Sequence, residues 1–334
     1  MRGILAAHAD WSLDARKRFV TVARRGTRGW MLAAPVPVGP VDNFLDRLRL
    51  AAAGAPVALG VDFPLGLPRA YVARHAEGDF RGFLRGLLDR PEFFQVCAEL
   101  AKISPARPFY PARGIRGMTR AAHAAALGLP DAAALSRLCD RATAIRPAGA
   151  PLFWTLGANQ AGKAAIAAWR DMLVPALAAD APIDLWPFAG PFRGLLAPGR
   201  VAIAETYPAE ALRHLGLRVP GSKRRQADRL AMVDDLRAAM AALGARPHRA
   251  LAATLADGFG ADAAGEDRFD SFLGALCVIN VLEGNRPDTT PDDLWLTRWE
   301  GWVLGQTDMP RDLDVRSWGC DLSVGRSGLC PEPR

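Results

Sequence analysis

The hydrophobic pattern of the first 68 residues predicts four strands and one helix. The stretches "GILAAHADWS", "RKRFVTVARR" and "WMLAAPVPV" have the composition of three successive strands, and "GTRG" between the last two predicts a turn. "VDNFLDRLRLAAA" then places Phe44, Leu45, Leu48 and Ala51 at helical spacing. "APVALGVDFPLGLP" predicts a buried strand that stops at Pro64.

The pattern changes after residue 68. Residues 69–197 contain short helical patterns, many Pro and Gly, and few strand signals, which predicts a mostly helical insertion. "RVAIAETYP" returns to a buried strand, and it is followed by three predicted helices in "PAEALRHLG", "SKRRQADRLAMVDDLRAAMAALG" and "GEDRFDSFLGALCVINVLEG". Residues 285–334 are rich in Pro, Asp and Trp and have little regular pattern.

Composition narrows the class of protein only a little. The 334 residues are half hydrophobic and 23% charged, as expected for one or two globular domains. No apolar run is long enough for a transmembrane helix, and the apolar N-terminus is short and interrupted by Asp10, so we expect a cytoplasmic protein with no membrane partner. The five cysteines are odd in number and widely spaced, which favours free thiols over disulfides or a zinc ribbon.

The charge balance is compatible with a polyanionic partner. The net charge is +7 and the isoelectric point is about 9.6. Only four of the 42 basic residues are lysine, so a biased genome composition explains the excess of arginine equally well.

Three of the predicted buried strands end in an acidic residue: Asp10, Asp62 and Glu205. Strand ends in α/β sheets open into the crevice where ligands bind. Neighbouring strands lie about 4.8 Å apart, so carboxylates in one row would repel each other unless a divalent cation neutralised them.

A fourth carboxylate comes from the last predicted helix. Asp270 has Asp267 and Glu266 one turn before it, and Gly274 one turn after it predicts a close approach of this helix to the sheet. We therefore expect Asp10, Asp62, Glu205 and Asp270 to converge on one cleft. Placement of Asp62 and Glu205 on opposite faces of the sheet would contradict this site and the nuclease function that depends on it.

The motifs resemble a predicted ribonuclease H-like nuclease family whose members carry "iDaPlGlP", "vEtyPea" and a helical "D-[AS]-[FL]". The corresponding stretches here are "GVDFPLGLP" (60–68), "AETYPAEAL" (204–212) and "FDSFLGAL" (269–276), and "SKRRQADR" (222–229) is similar to the basic segment of that family. The first motif departs from the family, because "ADWS" replaces the usual Gly-x-Asp.

The resemblance implies an α/β fold with a ribonuclease H-like, mixed five-stranded sheet flanked by helices. Residues 1–68 and 198–284 would form the core, residues 69–197 the mostly helical insertion, and residues 285–334 a C-terminal tail packed on the core.

The implied activity is metal-dependent hydrolysis of phosphodiester bonds in DNA or RNA. Two Mg²⁺ or Mn²⁺ ions about 4 Å apart would be held by the catalytic carboxylates, one activating water and the other stabilising the leaving 3′-oxygen. The implied catalytic and metal-binding residues are Asp10, Asp62, Glu205 and Asp270. Carboxylates suit these hard ions, which agrees with the absence of a His/Cys constellation from the sequence.

Each acid also has a structural interpretation. Asp62 could cap the turn before Pro64, and Glu205 could cap the helix near Pro208. Asp14, which we expect in a turn, competes with Asp10, and Asp267 competes with Asp270.

The stretch "GANQAGKA" (157–164) has the G-x-x-x-x-G-K spacing of phosphate-binding loops. Ala164 replaces the Ser or Thr that would hold Mg²⁺, and the stretch lies inside the insertion, so we expect no nucleotide cofactor. Asn159, Gln160 and Lys163 are candidates for substrate contact, or else they form a helix N-terminus.

A second set of candidate substrate contacts is the basic run Lys223, Arg224 and Arg225, which could equally be a solvated helix face. Two other functions stay open. The first is a non-catalytic nucleic-acid-binding protein on the same fold. The second is an actin-like or sugar-kinase-like ATPase, which is disfavoured because "DWSLDARKR" lacks the D-x-G-x-[ST] turn.

Overall fold

One mixed β-sheet organises the computed structural model, which describes residues 3–114, 116–157 and 161–310. The strands of this part of the chain are Leu5–Asp10 (β1), Phe19–Gly26 (β2), Gly29–Leu32 (β3), Val36–Pro37 (β4), Val57–Val61 (β5), Ile183–Leu185 (β6), Val201–Glu205 (β7) and Ala245–Pro247 (β8). Their order in the sheet is β6-β7-β5-β1-β2-β3-β8, and β4 pairs with β2. Only β2 pairs antiparallel with its neighbours.

The described helices are Phe44–Ala52 (α1), Arg69–His75 (α2), Phe80–Gly86 (α3), Arg120–Ala126 (α4), Ala161–Ala168 (α5), Val174–Ala178 (α6), Pro208–His214 (α7), Gln226–Leu230 (α8), Val233–Ala242 (α9), Arg249–Ala256 (α10) and Gly265–Leu282 (α11). The segment between β5 and β7 also contains several short 3₁₀ turns. A π-helical stretch, Trp169–Leu173, joins α5 to α6.

The sheet confirms the α/β class and is wider than the five strands predicted. The five predicted core strands occupy consecutive positions, β3-β2-β1-β5-β7. The third predicted strand, "WMLAAPVPV", is divided by the structure into β3 and β4. The two strands that were not predicted, β6 and β8, contain only three residues each, too few to show a strand period.

The single helix predicted for residues 222–244 is wrong, because the structure has two helices, α8 and α9, separated by a turn. The buried guanidinium of Arg229 holds α8 in place, with bonds of 2.8 Å to the Gly258 carbonyl and 2.6 Å to the Gly260 carbonyl. These bonds tie α8 to the loop before α11, whereas α9 packs beside the sheet through Leu236 and Met240.

Two hydrophobic cores lie on opposite faces of the sheet. In β5, Val57, Leu59 and Val61 point into the first core, which also contains α1 and the helices of residues 69–178. Ala58 points into the second core, which contains α9 and α11. The segment between β5 and β7 therefore shares a core with the sheet.

Helix α11 approaches β1 closely, as the sequence predicts from Gly274. A Cβ atom on Gly274 would overlap the ring of His8, which is fully buried on β1. Gly60 on β5 has the same role, since a Cβ there would lie 2.7 Å from Cγ2 of Val278. Small residues on both sides thus allow α11 to lie against the sheet.

The described part of the C-terminal segment, residues 285–310, packs on this second core. Trp302 and Leu304 are fully buried, and the Leu304 amide donates a 2.8 Å hydrogen bond to the Glu205 carbonyl. Among the described helices, none combines the length and apolar content that crossing a membrane requires.

Candidate functional site

Asp10 and Asp62 lie side by side at the ends of two neighbouring strands. Asp10 ends β1 and Asp62 follows β5, and the pairing of Ala9 with Val61 in these parallel strands directs both carboxyl groups to the face covered by α11. Their side chains are hydrogen-bonded to each other. Asp62 Oδ1 also accepts a 2.6 Å hydrogen bond from the Trp11 amide.

Asp270 completes this group from the facing helix. It is 7% exposed on α11 and interacts electrostatically with both Asp10 and Asp62. The neighbouring Ser271 Oγ donates a 3.2 Å hydrogen bond to the His8 carbonyl and thereby fixes this turn of α11 against β1. The structure therefore brings together three of the four predicted carboxylates.

The carboxyl groups are poorly solvated and repel one another. Burial, followed by the charges of Asp62 and Asp270, raises the pKa of Asp10 well above its usual range. Burial also raises the pKa of Asp62 to about 7, and it raises the pKa of Asp270. Without a bound cation the fold therefore favours protonation of these groups.

Lys223 is the counterion of Asp270. Its ammonium forms an ion pair and a hydrogen bond with Asp270 Oδ2, and it lies 3.6 Å from Oε1 of Glu266. Burial opposes the charge of Lys223, but the carboxylates of Asp270, Glu266 and Asp10 together outweigh that effect, and the lysine pKa is raised.

The other two basic candidates lie farther from the carboxylates. Arg224 pairs with Glu266 at 3.3 Å, and its side chain is 74% exposed at the rim of the site. Arg225 pairs instead with Asp228 at 2.6 Å. Of the predicted basic run, Lys223 enters the site, Arg224 borders it and Arg225 has its partner elsewhere.

The carboxylate oxygens fit a hard divalent cation. Within the described residues, Asp270 Oδ1 and Asp267 Oδ2 are buried and have no hydrogen-bond partner. A buried carboxylate oxygen without a partner is costly unless something binds it. The donor set consists of oxygen atoms alone, which Mg²⁺ and Mn²⁺ prefer.

Asp267 lies beside this group rather than replacing Asp270. It is half-buried one turn before Asp270, its charge acts on Asp10, and partial burial raises its own pKa to about 6. The competing interpretation of Asp14 is excluded by its position, since its side chain caps a short turn by accepting a 3.1 Å bond from the Arg16 amide.

Glu205 does not join the other carboxylates, so the four-carboxylate site is wrong. The register pairs Glu205 with Val61, and both belong to the strand positions that face the first core. Asp62 is one residue beyond Val61 and faces the opposite side, toward α11. Because side chains alternate along a strand, this one-residue offset separates Glu205 from Asp62.

Glu205 is held in a fully buried polar network on its own face. Arg137 Nη1 and Nη2 donate to its two oxygens, each at 2.6 Å, and the Leu65 amide and Tyr207 hydroxyl donate at 2.7 and 2.5 Å. Arg137 also binds both oxygens of Asp140 at 2.9 Å.

This network has the geometry of a structural ion cluster. One potential ligand atom from each of Cys139, Asp140 and Glu205 lies within 4.8 Å of the others, a spacing that a metal could use. The guanidinium of Arg137 binds both carboxylates there, and its single positive charge offsets one of their two negative charges. The sequence contains no signal for this pairing, because Arg137 lies 68 residues before Glu205 in the mostly helical segment.

The "GANQAGKA" stretch is only partly described. Asn159 and Gln160 lie outside the described residues, so their predicted substrate contact is not addressed by the structure. Lys163 is half-buried near the start of α5. A Cβ on Gly162 would overlap the Leu152 carbonyl oxygen, so the glycine before Lys163 is required by packing.

No protein-family model, curated protein or solved structure matches this chain. The residues and their geometry therefore carry the functional argument.

Proposed function

We propose that this protein is a metal-dependent nuclease or related phosphodiesterase with a ribonuclease H-like core. The observation that carries the proposal is the buried group of Asp10, Asp62 and Asp270, in which Asp270 Oδ1 has no partner among the described residues. Carboxylates crowded in this way are destabilising by themselves and are stabilised by a divalent cation.

The arrangement of the sheet supports the same proposal. The strands expected for the core are adjacent in space, and the acids of β1 and β5 meet at one edge with the acid of α11. Asp62 and Glu205 face opposite sides of the sheet, which is the arrangement stated above to contradict the four-carboxylate site and the nuclease function that depended on it. The nuclease proposal therefore no longer rests on that site. It rests on the three carboxylates Asp10, Asp62 and Asp270, with Asp267 nearby, and Glu205 has a structural role.

The chain's own residues would divide the work as follows. Asp10, Asp62 and Asp270 would hold Mg²⁺ or Mn²⁺, and the Trp11 amide orients Asp62 through its 2.6 Å hydrogen bond. When bound, such ions activate water and stabilise the leaving oxygen of a phosphodiester. Lys223 and Arg224 bring positive charge to the same cleft, where a nucleic-acid phosphate would need it.

A Mn²⁺-dependent cleavage screen over a panel of DNA and RNA structures tests the proposal. The wild-type protein is expected to cleave at least one class of substrate, and Asp62→Asn is expected to lose this activity. Asp234→Asn removes an exposed carboxylate on α9 and is the matched control that should retain it. Equal cleavage by wild type and Asp62→Asn would contradict the proposal.

One observation favours the non-catalytic alternative. The Lys223–Asp270 ion pair partly neutralises the carboxylates without any metal. A protein that uses the cleft only to bind nucleic acid would bind the panel without cleavage and would show no response to Mn²⁺. The cytoplasmic location stays a prediction.

A further inference from the structure

The ammonium of Lys223 is bonded to Asp270 Oδ2, next to Oδ1 of the same carboxylate, which has no partner among the described residues and which a divalent cation would bind. We propose that Lys223 is a built-in counterion that the cation displaces from Asp270, and that the freed ammonium then binds a phosphate group of the substrate. This inference rests on the proposed metal site and names a regulation of that site.

Lys223 reaches Asp270 from a backbone that is firmly held. The Arg229 guanidinium donates a 2.5 Å hydrogen bond to the Lys223 carbonyl, and the preceding Ser222 amide donates a 2.8 Å bond to Asp228. The main chain on either side is thus anchored, whereas the lysine side chain remains 39% exposed. Movement of the ammonium therefore requires only rotation of its four-carbon stem.

Electrostatics require such a movement when a cation binds. A dication on Asp270 would lie within a few ångströms of the ammonium, and like charges that close repel strongly at the dielectric typical of a protein surface. Metal and lysine therefore compete for the same carboxylate.

The structure provides an alternative position for the ammonium. Glu266 lies 3.6 Å from Nζ and is shared with the exposed Arg224 at the rim of the cleft. An ammonium that leaves Asp270 in this direction joins Arg224, and the two cations together face an entering phosphate.

Calorimetric Mn²⁺ titration of wild type, Lys223→Met and Arg224→Met tests the competition. Arg224→Met removes a neighbouring charge that contacts Glu266 but not Asp270, so it is the matched control. We expect Lys223→Met to bind Mn²⁺ about fivefold or more tightly than wild type, and Arg224→Met to change affinity less.

The outcomes separate this inference from the proposed function. Unchanged or weaker Mn²⁺ binding by Lys223→Met, with clear binding by wild type, would overturn the inference and leave the metal site intact. Absence of Mn²⁺ binding by wild type would overturn both.

A second measurement needs no variant, because the chain has only four lysines. Acylation of each lysine by a water-soluble acetylating reagent is followed by mass spectrometry. Lys223 should react faster when Mg²⁺ is added and slower again when inorganic phosphate is added, while Lys102, which is 64% exposed, stays constant. If Mg²⁺ left the acylation rate of Lys223 unchanged, the proposed displacement of Lys223 from Asp270 would be overturned. If phosphate left that rate unchanged, the proposed contact between Lys223 and phosphate would be overturned.

Discussion

The carboxyl groups of Asp10 and Asp62 share a hydrogen bond at the ends of two neighbouring parallel strands. This bond raises the pKa of Asp10, already raised by burial, and favours the ionised form of Asp62. In the metal-free protein the two carboxyl groups retain a proton between them. A cation that binds both groups must displace this proton into solvent.

The first prediction concerns pH in the presence of a chelator. Burial raises the folded-state pKa of Asp62 to about 7, above the ordinary value. Because the folded protein holds this proton more tightly than the unfolded chain, Asp62 contributes stability that is fully present below about pH 4. This contribution is lost as the pH rises through 7, by at most about 1.4 kcal/mol per pH unit. Asn at this position does not titrate, so the stability of Asp62→Asn relative to wild type should increase from pH 5 to pH 8.

Urea unfolding at both pH values measures this difference. Buried His8, His123 and His214 have lowered pKa values and destabilise both proteins alike as the pH falls below about 6.5, so their effect cancels in the comparison. If the difference in the free energy of unfolding between the two proteins stayed constant from pH 5 to pH 8, the raised pKa of buried Asp62 would be contradicted.

The second prediction assigns Glu205 a structural role. Glu205→Gln leaves Arg137 paired with Asp140 but replaces one oxygen that accepts a hydrogen bond from Arg137 with an amide NH₂ group, so it should lower the free energy of unfolding by about 1–3 kcal/mol. The stabilisation by Mn²⁺ should persist. Glu99→Gln, which changes an exposed ion pair, is the control and should have little effect. A stable Glu205→Gln protein that no longer responds to Mn²⁺ would return Glu205 to the metal site.

The third prediction concerns the contact between α11 and β1. Gly274→Ala forces a methyl group into the His8 ring and should destabilise the protein by about 1–3 kcal/mol. Gly194→Ala is the control, since a Cβ there meets no atom within 4 Å. Adding His8→Ala to Gly274→Ala should cost less than the sum of the two single changes, because the clash is removed. Strictly additive unfolding energies would exclude the contact.

The fourth prediction concerns nucleotides. Packing against the Leu152 carbonyl explains why residue 162 is glycine, without any role in phosphate binding. Ala164 offers no hydroxyl to Mg²⁺, so the protein should not bind ATP or GTP through Lys163. Equilibrium binding of a fluorescent ATP analogue to wild type and Lys163→Ala measures this. Micromolar affinity that disappears in Lys163→Ala would support a nucleotide site.

Long buried runs explain why most strands could be predicted from the sequence. The runs of β1, β5 and β7 end at Asp10, Val61 and Glu205, as the apolar pattern indicates. Asp62 could be singled out because an acidic residue directly after a buried apolar run does not fit the core and is therefore a candidate for function. Asp270 could be singled out because it lies one helical turn from Gly274, where the helix was expected to approach the sheet. The shortest strands carry no periodic signal.

The register of neighbouring strands could not be predicted. Glu205 is the last residue of its strand and Asp62 the first residue after its own, and a difference of one position reverses the face. The ion pair between Glu205 and Arg137 could not be predicted either. Arg137 lies in a distant segment of the sequence, and its local pattern indicates only a short helix.

Thermal melts of wild type and Asp62→Asn, each with chelator and with Mn²⁺, test the central claim most directly. A ligand that binds only the folded state at a hundredfold excess over Kd stabilises it by about 2.7 kcal/mol. The account predicts that Mn²⁺ raises the Tm of wild type but hardly that of Asp62→Asn, and that with chelator the variant is at least as stable as wild type. An identical Mn²⁺-induced rise in both proteins would contradict the assignment of Asp62 as a metal ligand.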